Sequence, residues 1–301
     1  MVPLSRAGLA EIDAIARALQ AAPRPWHRLD PAAFALTACI RAMGEVRERL
    51  VNGIGLAVLD RIPVERYGLD ENRAIGWLLA GALGQVVAQK WDGTRLYDVK
   101  DAGRPLGYGV RRSVTNLGQP FHTDGPWLSR PPRFVGLFCL QAAPEGGMSR
   151  FASLVTAHDE LVRRQPRALD RLFLSFRWDR QAEHGPEEPK FSTHPVFARD
   201  GQGLVARYYD DYIAHGARLA GETVDPEGAE ALAAMQAIVE DPGSWVEFRV
   251  EPGQFQYLDN RRFAHCRTAF RDAPDAGVQR HMLRFWNRDE GGTHLEGQGP
   301  A

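Results

Sequence analysis

Two short motifs that lie far apart in the chain, His122-Thr123-Asp124 and the segment around His265, constrain the fold most strongly. If residues 121–124 form a strand, the side chains of His122 and Asp124 share a face, because side chains two positions apart on a strand point the same way. Two imidazoles and one carboxylate on one face of a metal are typical of an iron(II) site with exchangeable positions. His265 lies 143 residues after His122 (265 − 122), so a distant strand must fold back beside the first motif. We predict that these three side chains bind a metal and form the catalytic centre.

The segment Gln279–Trp286 reads as a strand that carries two arginines, Arg280 and Arg284. They are four positions apart, so they share a strand face at a distance of about 13 Å. A buried arginine suits the anchoring of a carboxylate, because its planar guanidinium can donate two parallel hydrogen bonds. One arginine can therefore hold a dicarboxylic co-substrate while the other faces a second anion.

The segments around these residues resemble the taurine dioxygenase and 2,4-dichlorophenoxyacetate dioxygenase family of Fe(II)/2-oxoglutarate oxygenases. Phe121–Asp124 is similar to the family's H-T-D box, and Pro131-Pro132 and Gly146-Gly147 stand where the family has P-P and G-G. Asp259–Phe270 resembles the family's D-N-R-x-x-H-x-R-x-A-F segment. The resemblance extends over about residues 110–160 and 244–290 and does not identify a substrate.

The resemblance implies roles for further residues. Ser149 lies 27 positions after His122 (149 − 122) and matches the hydroxyl residue that helps Arg280 to bind 2-oxoglutarate. Arg284 matches an arginine near the substrate, and we expect Arg112 and Trp127 to contact the substrate too. The implied cofactors are Fe(II), the co-substrate 2-oxoglutarate and O2, with succinate and CO2 as by-products.

The distribution of apolar residues and turns predicts a chain that is mainly β with flanking helices. Phe134–Leu140 is a nearly continuous apolar run, which is typical of a buried strand. Phe34–Leu50 and Pro226–Val239 read as helices, and residues 245–258 read as a hairpin that turns at Pro252-Gly253. This pattern favours a double-stranded β-helix, the jelly-roll core that the resemblance implies and that clavaminate synthase-like enzymes share.

We expect one oxygenase domain over residues 1–301, because no linker demands a second domain. Within it, residues 1–100 form an N-terminal part of helices and strands that buttresses the barrel. Residues 155–243 form an insert between the two metal-ligand regions, and this insert is expected to cover the active site.

Composition excludes several kinds of partner. A formal net charge of −1 offers no broad surface for nucleic acid, and no apolar run approaches the length of a membrane span. The three cysteines, Cys39, Cys139 and Cys266, are odd in number and widely spaced, which disfavours a disulfide framework and favours the cytoplasm. A small molecule is the expected partner, and a homo-oligomer is compatible with the sequence.

The favoured reaction is hydroxylation of an unactivated C–H bond in a small anionic metabolite, such as a carboxylate, a sulfonate or an amino acid. Asp210-Asp211 could hold the amine of an amino acid. The carboxylate at Asp124 argues against halogenation, because related halogenases have a small residue there. Two alternatives remain: desaturation or ring formation in natural-product biosynthesis, and a catalytically silent metal-binding barrel. A metal store would not need Arg280 and Ser149.

Overall fold

A computed structural model describes residues 1–296. The α-helices lie in two groups, before residue 84 and between residues 154 and 240. In chain order they are α1 (Arg6–Ala21), α2 (Thr37–Val51), α3 (Leu69–Leu83), α4 (Leu154–Arg164), α5 (Pro166–Leu172), α6 (Asp210–Leu219) and α7 (Pro226–Glu240). The predicted helices in residues 34–50 and 226–239 are confirmed. Helix α7 begins as expected, because Asp225 caps Gly228 N–H and Pro226 occupies the first helical position.

The strands form two main sheets and three small pairs. They are β1 (Val2–Pro3), β2 (Leu56–Asp60), β3 (Gln85–Val86), β4 (Leu96–Val99), β5 (Gln119–His122), β6 (Phe134–Gln141), β7 (Glu145–Gly146), β8 (Ser149–Ser153), β9 (Ser175–Asp179), β10 (Phe191–Pro195), β11 (Phe197–Asp200), β12 (Gly203–Ala206), β13 (Trp245–Phe248), β14 (Phe255–Asp259), β15 (Phe263–Arg267), β16 (Phe270–Arg271) and β17 (His281–Arg288). The larger sheet has the order β1-β2-β14-β6-β17-β3, with β4 also paired to β17. The smaller sheet has the order β13-β8-β15-β5.

The two main sheets pack against each other through one apolar core. Val135 and Trp286 of the larger sheet belong to the same buried cluster as Phe151 and Ala264 of the smaller sheet. Two sheets with long crossovers and a shared core are the jelly-roll arrangement. The predicted double-stranded β-helix core with flanking helices is confirmed.

The predicted hairpin at Pro252-Gly253 is wrong, because the two strands that flank this turn belong to different sheets. β13 pairs with β8 in the smaller sheet, whereas β14 pairs with β2 and β6 in the larger one. The Pro-Gly turn therefore carries the chain from one sheet to the other. Local turn signals cannot distinguish this crossover from a hairpin, because both need the same backbone bend.

The outer face of the larger sheet is covered by helices α1, α2 and α3. Phe255 and Tyr257 of β14 point into this apolar layer, whereas Leu258 belongs to the core between the sheets. The alternation follows the two-residue period of a strand. Residues 1–100 thus contribute both the covering helices and strands β1 to β4 of the larger sheet.

Residues 154–244 lie between β8 and β13 and form helices and β-strand pairs. Their buried residues, such as Leu161 and Met235, belong to the same apolar cluster as Phe151 of the smaller sheet. Helix α7 packs on α4 and α5, and helix α6 packs on the β9–β10 pair. Alternating aromatic and polar residues predict strands over residues 177–212, where β9 to β12 lie, but they do not reveal helix α6, which begins at Asp210. Within residues 1–296, none of the helices is long and apolar enough to cross a membrane.

Candidate active site

The three predicted metal ligands meet in the space between the two sheets. His122 ends β5 and lies directly opposite His265 of β15, with their ring centroids 4.2 Å apart. One potential ligand atom from each of His122, Asp124 and His265 lies within 4.8 Å of the others. All three side chains are buried. The arrangement places two imidazoles and one carboxylate around a single point.

Asp124 reaches this point from a bend and not from the strand itself, since β5 ends at His122. Asn260 holds the bend: its Oδ1 accepts from Asp124 N–H at 2.7 Å, and its Nδ2 donates to Asp124 O at 2.9 Å and to Pro132 O at 3.1 Å. Asn260 is 1% exposed, so these bonds are shielded from water. The D-N-R and P-P motifs therefore fix the backbone that presents the carboxylate.

The protonation states suit a metal site. Burial would raise the pKa of the Asp124 carboxyl, but Arg284 and His122 hold this pKa well below its ordinary value. Burial, together with the neighbouring His122, lowers the pKa of His265 to about 3. Asp124 is therefore charged and His265 neutral near pH 7, as metal ligands must be.

Hydrogen bonds orient His122 for the same purpose. Its Nδ1–H donates to Pro120 O at 2.9 Å, which leaves the Nε2 lone pair facing Asp124, whose Oδ1 lies 3.5 Å away. A backbone acceptor on one ring nitrogen is the usual way to fix the metal-binding tautomer. Gln119 Nε2 donates to the same Nε2 at 2.8 Å, so this amide must move aside when a metal shares that nitrogen. The donor set fits a divalent iron ion.

Two cavities lie on either side of the three ligands. We call the first the Arg280 cavity; its lining includes His265, Ser149, Gln256, Arg267 and Arg280. We call the second the Trp127 cavity; it is lined by Asp124 and Trp127 together with Arg111, Arg112, Tyr209, Tyr212 and Trp286. Ser113, Gln119, His122 and Arg284 line both. Small molecules in the two cavities would therefore approach the same metal point from different sides.

The Arg280 cavity has the features that a carboxylate-binding site needs. Arg280 is 2% exposed, and its Nη1 has no hydrogen-bond partner among residues 1–296. Burial lowers the pKa of this guanidinium to about 10, so it remains charged near pH 7. Ser149, at the start of β8, is also buried and lines the same cavity. An unpaired buried cation beside a hydroxyl fits the distal carboxylate of 2-oxoglutarate.

The Gly-Gly turn before Ser149 makes room for this arginine. Gly146 and Gly147 have φ angles of 72° and 68°, a region that favours glycine. A Cβ on Gly146 would lie 2.1 Å from Ala269 O, and one on Gly147 would lie 3.3 Å from Arg280 Nε. The motif therefore combines a left-handed backbone with close approach to the arginine.

Arg112, Trp127 and Arg284, the three residues expected near the substrate, all line the Trp127 cavity. Trp127 is 3% exposed, and its Nε1 has no partner within the described part of the chain. Arg112 is half-buried and donates to Gly118 O at 3.2 Å, while its nearest carboxylate, that of Asp211, lies 4.0 Å away. The structure brings these three side chains to one space.

Arg284 has a partner that sequence reasoning did not foresee. Its Nη1 lies 3.3 Å from Asp124, and its Nε donates to Gln89 Oε1 at 2.7 Å. From the sequence, the substrate is the expected anionic partner of this arginine, whereas in the structure a metal ligand already supplies one. Its Nη2 has no partner among residues 1–296 and remains for a further acceptor.

The sequence missed several other residues that face the site. Tyr209 packs 5.2 Å from the His122 ring and stacks on Tyr212 at 3.9 Å. Arg111 forms a buried ion pair with Glu183 at 2.7 Å. The tyrosines lie just before and just inside helix α6, so only knowledge of that helix could have placed them. Ser113 lines both cavities, but a single serine in a loop belongs to no motif from which this position could be predicted.

Asp210 and Asp211, which the sequence suggested as an amine site, do not line either cavity. They occupy the first turn of α6, where carboxylates interact favourably with the helix dipole. Asp211 is largely exposed. The acidic pair therefore has a local structural explanation.

A jelly-roll core with two buried histidines and one carboxylate between its sheets defines the class of non-haem iron oxygenases. A family model described as "Taurine catabolism dioxygenase TauD, TfdA family" matches residues 26–286. The chain belongs to this family. It is an Fe(II)- and 2-oxoglutarate-dependent dioxygenase, as the resemblance of its motifs implied.

Individual relatives agree with this membership. The chain is 30% identical over 271 residues to FR-33289 synthase of Streptomyces rubellomurinus (strain ATCC 31215), which covers 89% of this chain and 78% of the relative. It is also similar in fold to an asparagine oxygenase solved with Fe(II), 2S,3S-3-hydroxyasparagine and succinate, with a TM-score of 0.72, 23% identity and coverage of 96% and 93%. The non-haem iron oxygenase OrfP, solved with Fe and alpha-ketoglutaric acid, gives a TM-score of 0.70 at 14% identity, with coverage of 96% and 94%. At these identities the solved structures support the fold.

We predict that His265→Ala abolishes stoichiometric iron binding, because the remaining imidazole and carboxylate cannot complete the facial set. Anaerobic titration with Fe(II) and metal analysis after gel filtration measure the effect. His158→Ala is the matched control, since His158 is also buried but lies on α4 outside the ligand set. A His265→Ala protein that is folded and retains one iron per chain would contradict the assignment.

We also predict that Asn260→Ala destabilises the protein by about 2 kcal/mol or more, because it leaves buried backbone groups of Asp124 and Pro132 without partners. Iron affinity should fall as well, since the bend that presents Asp124 loses its support. Urea unfolding and iron titration report the two effects. Asn52→Ala, which removes an exposed side chain bonded to Glu48, should change neither. An unchanged iron affinity would show that the bend holds its geometry without Asn260.

Proposed function

We propose that this dioxygenase hydroxylates an unactivated C–H bond of a small anionic metabolite bound in the Trp127 cavity. One observation carries the proposal: three arginines line this cavity, Arg111, Arg112 and Arg284, and among its described lining residues Asp124 is the only carboxylate. Asp124 itself is a proposed metal ligand. Glu183 and Asp124 already compensate Arg111 and Arg284, but Arg284 keeps a free Nη2, and half-buried Arg112 has only the largely exposed Asp211 at 4.0 Å. These incompletely used guanidiniums favour a molecule that carries a carboxylate, sulfonate or phosphonate.

The chain's own residues have distinct proposed roles. His122, Asp124 and His265 hold Fe(II), and Arg280 with Ser149 holds the distal carboxylate of 2-oxoglutarate. When bound, iron and 2-oxoglutarate supply the oxidising chemistry with O2, and they release succinate and CO2. The protein positions the reactants and excludes water. The metal ligands, Arg284 of β17 and Arg280 just before this strand are all buried.

The proposed substrate residues differ in what they offer. Arg284 presents its free Nη2, and Arg112 presents a half-buried guanidinium whose carboxylate neighbour, Asp211, lies 4.0 Å away. Trp127 forms an apolar wall beside Tyr212, with their rings 5.6 Å apart. An anionic group near the two arginines would orient the rest of the molecule toward the metal. Orientation of this kind decides which C–H bond is oxidised.

We further propose one oxygenase domain in which residues 155–243 cover the active site. The supporting contacts are Tyr209 and Tyr212, which line the Trp127 cavity, and Glu183, which binds Arg111. A cytoplasmic location is proposed from the three cysteines, all buried and free, which suit a reducing compartment. Assembly into a homo-oligomer stays a prediction from sequence.

One experiment distinguishes hydroxylation from desaturation or ring closure, which would use the same ligands and co-substrate. It also tests amino acids as substrates, which would carry an amine in addition to the anionic group. A screen of small carboxylates, sulfonates, phosphonates and amino acids for stimulated succinate release identifies the substrate. Product mass then decides the reaction: gain of one oxygen atom means hydroxylation, and loss of two hydrogens means desaturation or ring formation. Stimulation by cations or neutral molecules alone would contradict the proposal of an anionic substrate.

We predict that Arg280→Met raises the 2-oxoglutarate concentration needed for half-saturation by a factor of tens to thousands, because the loss of a buried charge-assisted pair costs about 2–5 kcal/mol. Iron binding should remain near that of the wild type. Anaerobic titrations with Fe(II) and 2-oxoglutarate separate the two affinities. Arg271→Met, at a side chain that is 80% exposed, is the control. Unchanged 2-oxoglutarate affinity in Arg280→Met would remove Arg280 from the co-substrate site.

We predict that Arg284→Gln weakens substrate binding and lowers the ratio of product to succinate, because the substrate loses an anchor and its C–H bond is misplaced. Iron should be retained with a modest loss of affinity, since Asp124 still accepts from Trp286 Nε1 at 2.7 Å. The measurement is the product-to-succinate ratio with the substrate found in the screen. Arg66→Gln on the exposed surface is the control. If the product-to-succinate ratio and the substrate affinity are both unchanged in Arg284→Gln, Arg284 serves only to hold Asp124.

A further inference from the structure

Arg267 is the one arginine lining the Arg280 cavity that has no role in the proposals above. It lies two residues after His265 on β15, so both side chains leave the strand on the same side. Its cross-strand partner on β8 is Ser149. Ser149, Arg267 and Arg280 therefore converge on one cavity from three separate strand regions.

The surroundings of Arg267 satisfy only part of its guanidinium. Its Nη2 donates to Thr115 O at 3.0 Å and to Leu117 O. Its Nε and Nη1 have no hydrogen-bond partner among residues 1–296, although the side chain is only 7% exposed. No carboxylate of the described residues forms an ion pair with Arg267 or with Arg280. Two buried cations without counter-charges in one cavity are strongly unfavourable unless an anion joins them.

An aromatic ring holds both guanidiniums in place. The Cζ atoms of Arg267 and Arg280 lie 4.8 Å and 5.2 Å from the centroid of Phe270. Cation–π contact favours these positions but uses none of the N–H donors. The free donors are therefore available to an acceptor with more than one oxygen, such as a carboxylate.

We propose that Arg267 is a second binding residue for 2-oxoglutarate and that it acts on the distal carboxylate together with Arg280. The inference rests on the proposed function, because it takes the Arg280 cavity as the co-substrate site. This role explains why a buried arginine, Arg267, lies two residues after the metal ligand His265. It also links the two cavities, because the carbonyls that Arg267 holds belong to the 112–117 turn, which carries Arg112 and Ser113 into the Trp127 cavity.

The test compares two 2-oxo acids that differ only at the distal end. 2-Oxoglutarate and 2-oxopentanoate have the same chain length, but the second has a methyl group where the first has its distal carboxylate. Each is titrated anaerobically into the Fe(II)-loaded protein, and the visible absorption of the iron–oxo-acid chelate reports binding without turnover. Arg267→Gln should reduce the preference for 2-oxoglutarate by about tenfold or more, because only that acid loses a charge-assisted bond. The affinity for 2-oxopentanoate should change little.

Arg271→Gln is the matched control, since this neighbouring arginine is largely exposed and forms an ion pair with the exposed Glu145 at 3.5 Å. It should keep the wild-type preference. Equal loss of affinity for both acids in Arg267→Gln would show that Arg267 only supports the 112–117 turn, and this would overturn the inference. If the glutamine variant does not fold, Arg267→Lys decides: it keeps the charge but loses the planar fork, so a preference equal to the wild type overturns the inference as well. A wild-type protein with no preference for 2-oxoglutarate would instead contradict the proposed function.

Discussion

The buried carboxylate of Asp124 is the point at which the two sheets, the candidate metal site and both cavities are joined. Its backbone is held by Asn260 from the end of β14, and its oxygens accept from Arg284 and Trp286 of β17. His122, two residues earlier, belongs to the smaller sheet. A single charged side chain thus receives contacts from both halves of the β-helix. Because a buried charge is tolerated only with such partners, the sheets must pack in the register that supplies them.

The motifs predicted the site better than the periodicity predicted the elements around it. The types and spacing of His122, Asp124 and His265 predicted that these three side chains meet. The places of Ser149 and Arg280 came from the resemblance to the family. The crossover at Pro252-Gly253 could not be foreseen, because a turn signal gives the local bend but not the strand on which the chain lands. Helix α6 could not be predicted from local sequence either, because its tyrosines and aspartates have weak helix propensity. Its helical conformation is stabilised by tertiary packing on β9.

The partner of Arg284 shows a limit of one-dimensional reasoning about charge. On an ideal strand, Arg284 and Arg280 share a face, and each needs an anion. The structure contains a register shift between His281 and Met282, and Arg280 lies just before the strand. Arg284 therefore reaches the metal carboxylate, while Arg280 faces the other cavity. The sequence shows that Arg284 and Asp124 are present but not that they are in contact. Their distance depends on how β17 packs against the smaller sheet.

The charges around the two cavities explain why such a site would accept anions in succession. Four buried arginines line them, Arg111, Arg267, Arg280 and Arg284, and two carboxylates compensate these, Asp124 and Glu183. Four cations less two anions leave an excess of two positive charges among the described residues. A divalent metal would double this excess, and a dianionic 2-oxo acid would cancel half of the total. Part of the remaining positive charge belongs to the metal, which the Trp127 cavity borders, and half-buried Arg112 lies in that cavity. The electrostatic cost of the folded protein is therefore relieved stepwise, first by the co-substrate and then by an anionic substrate beside the same metal.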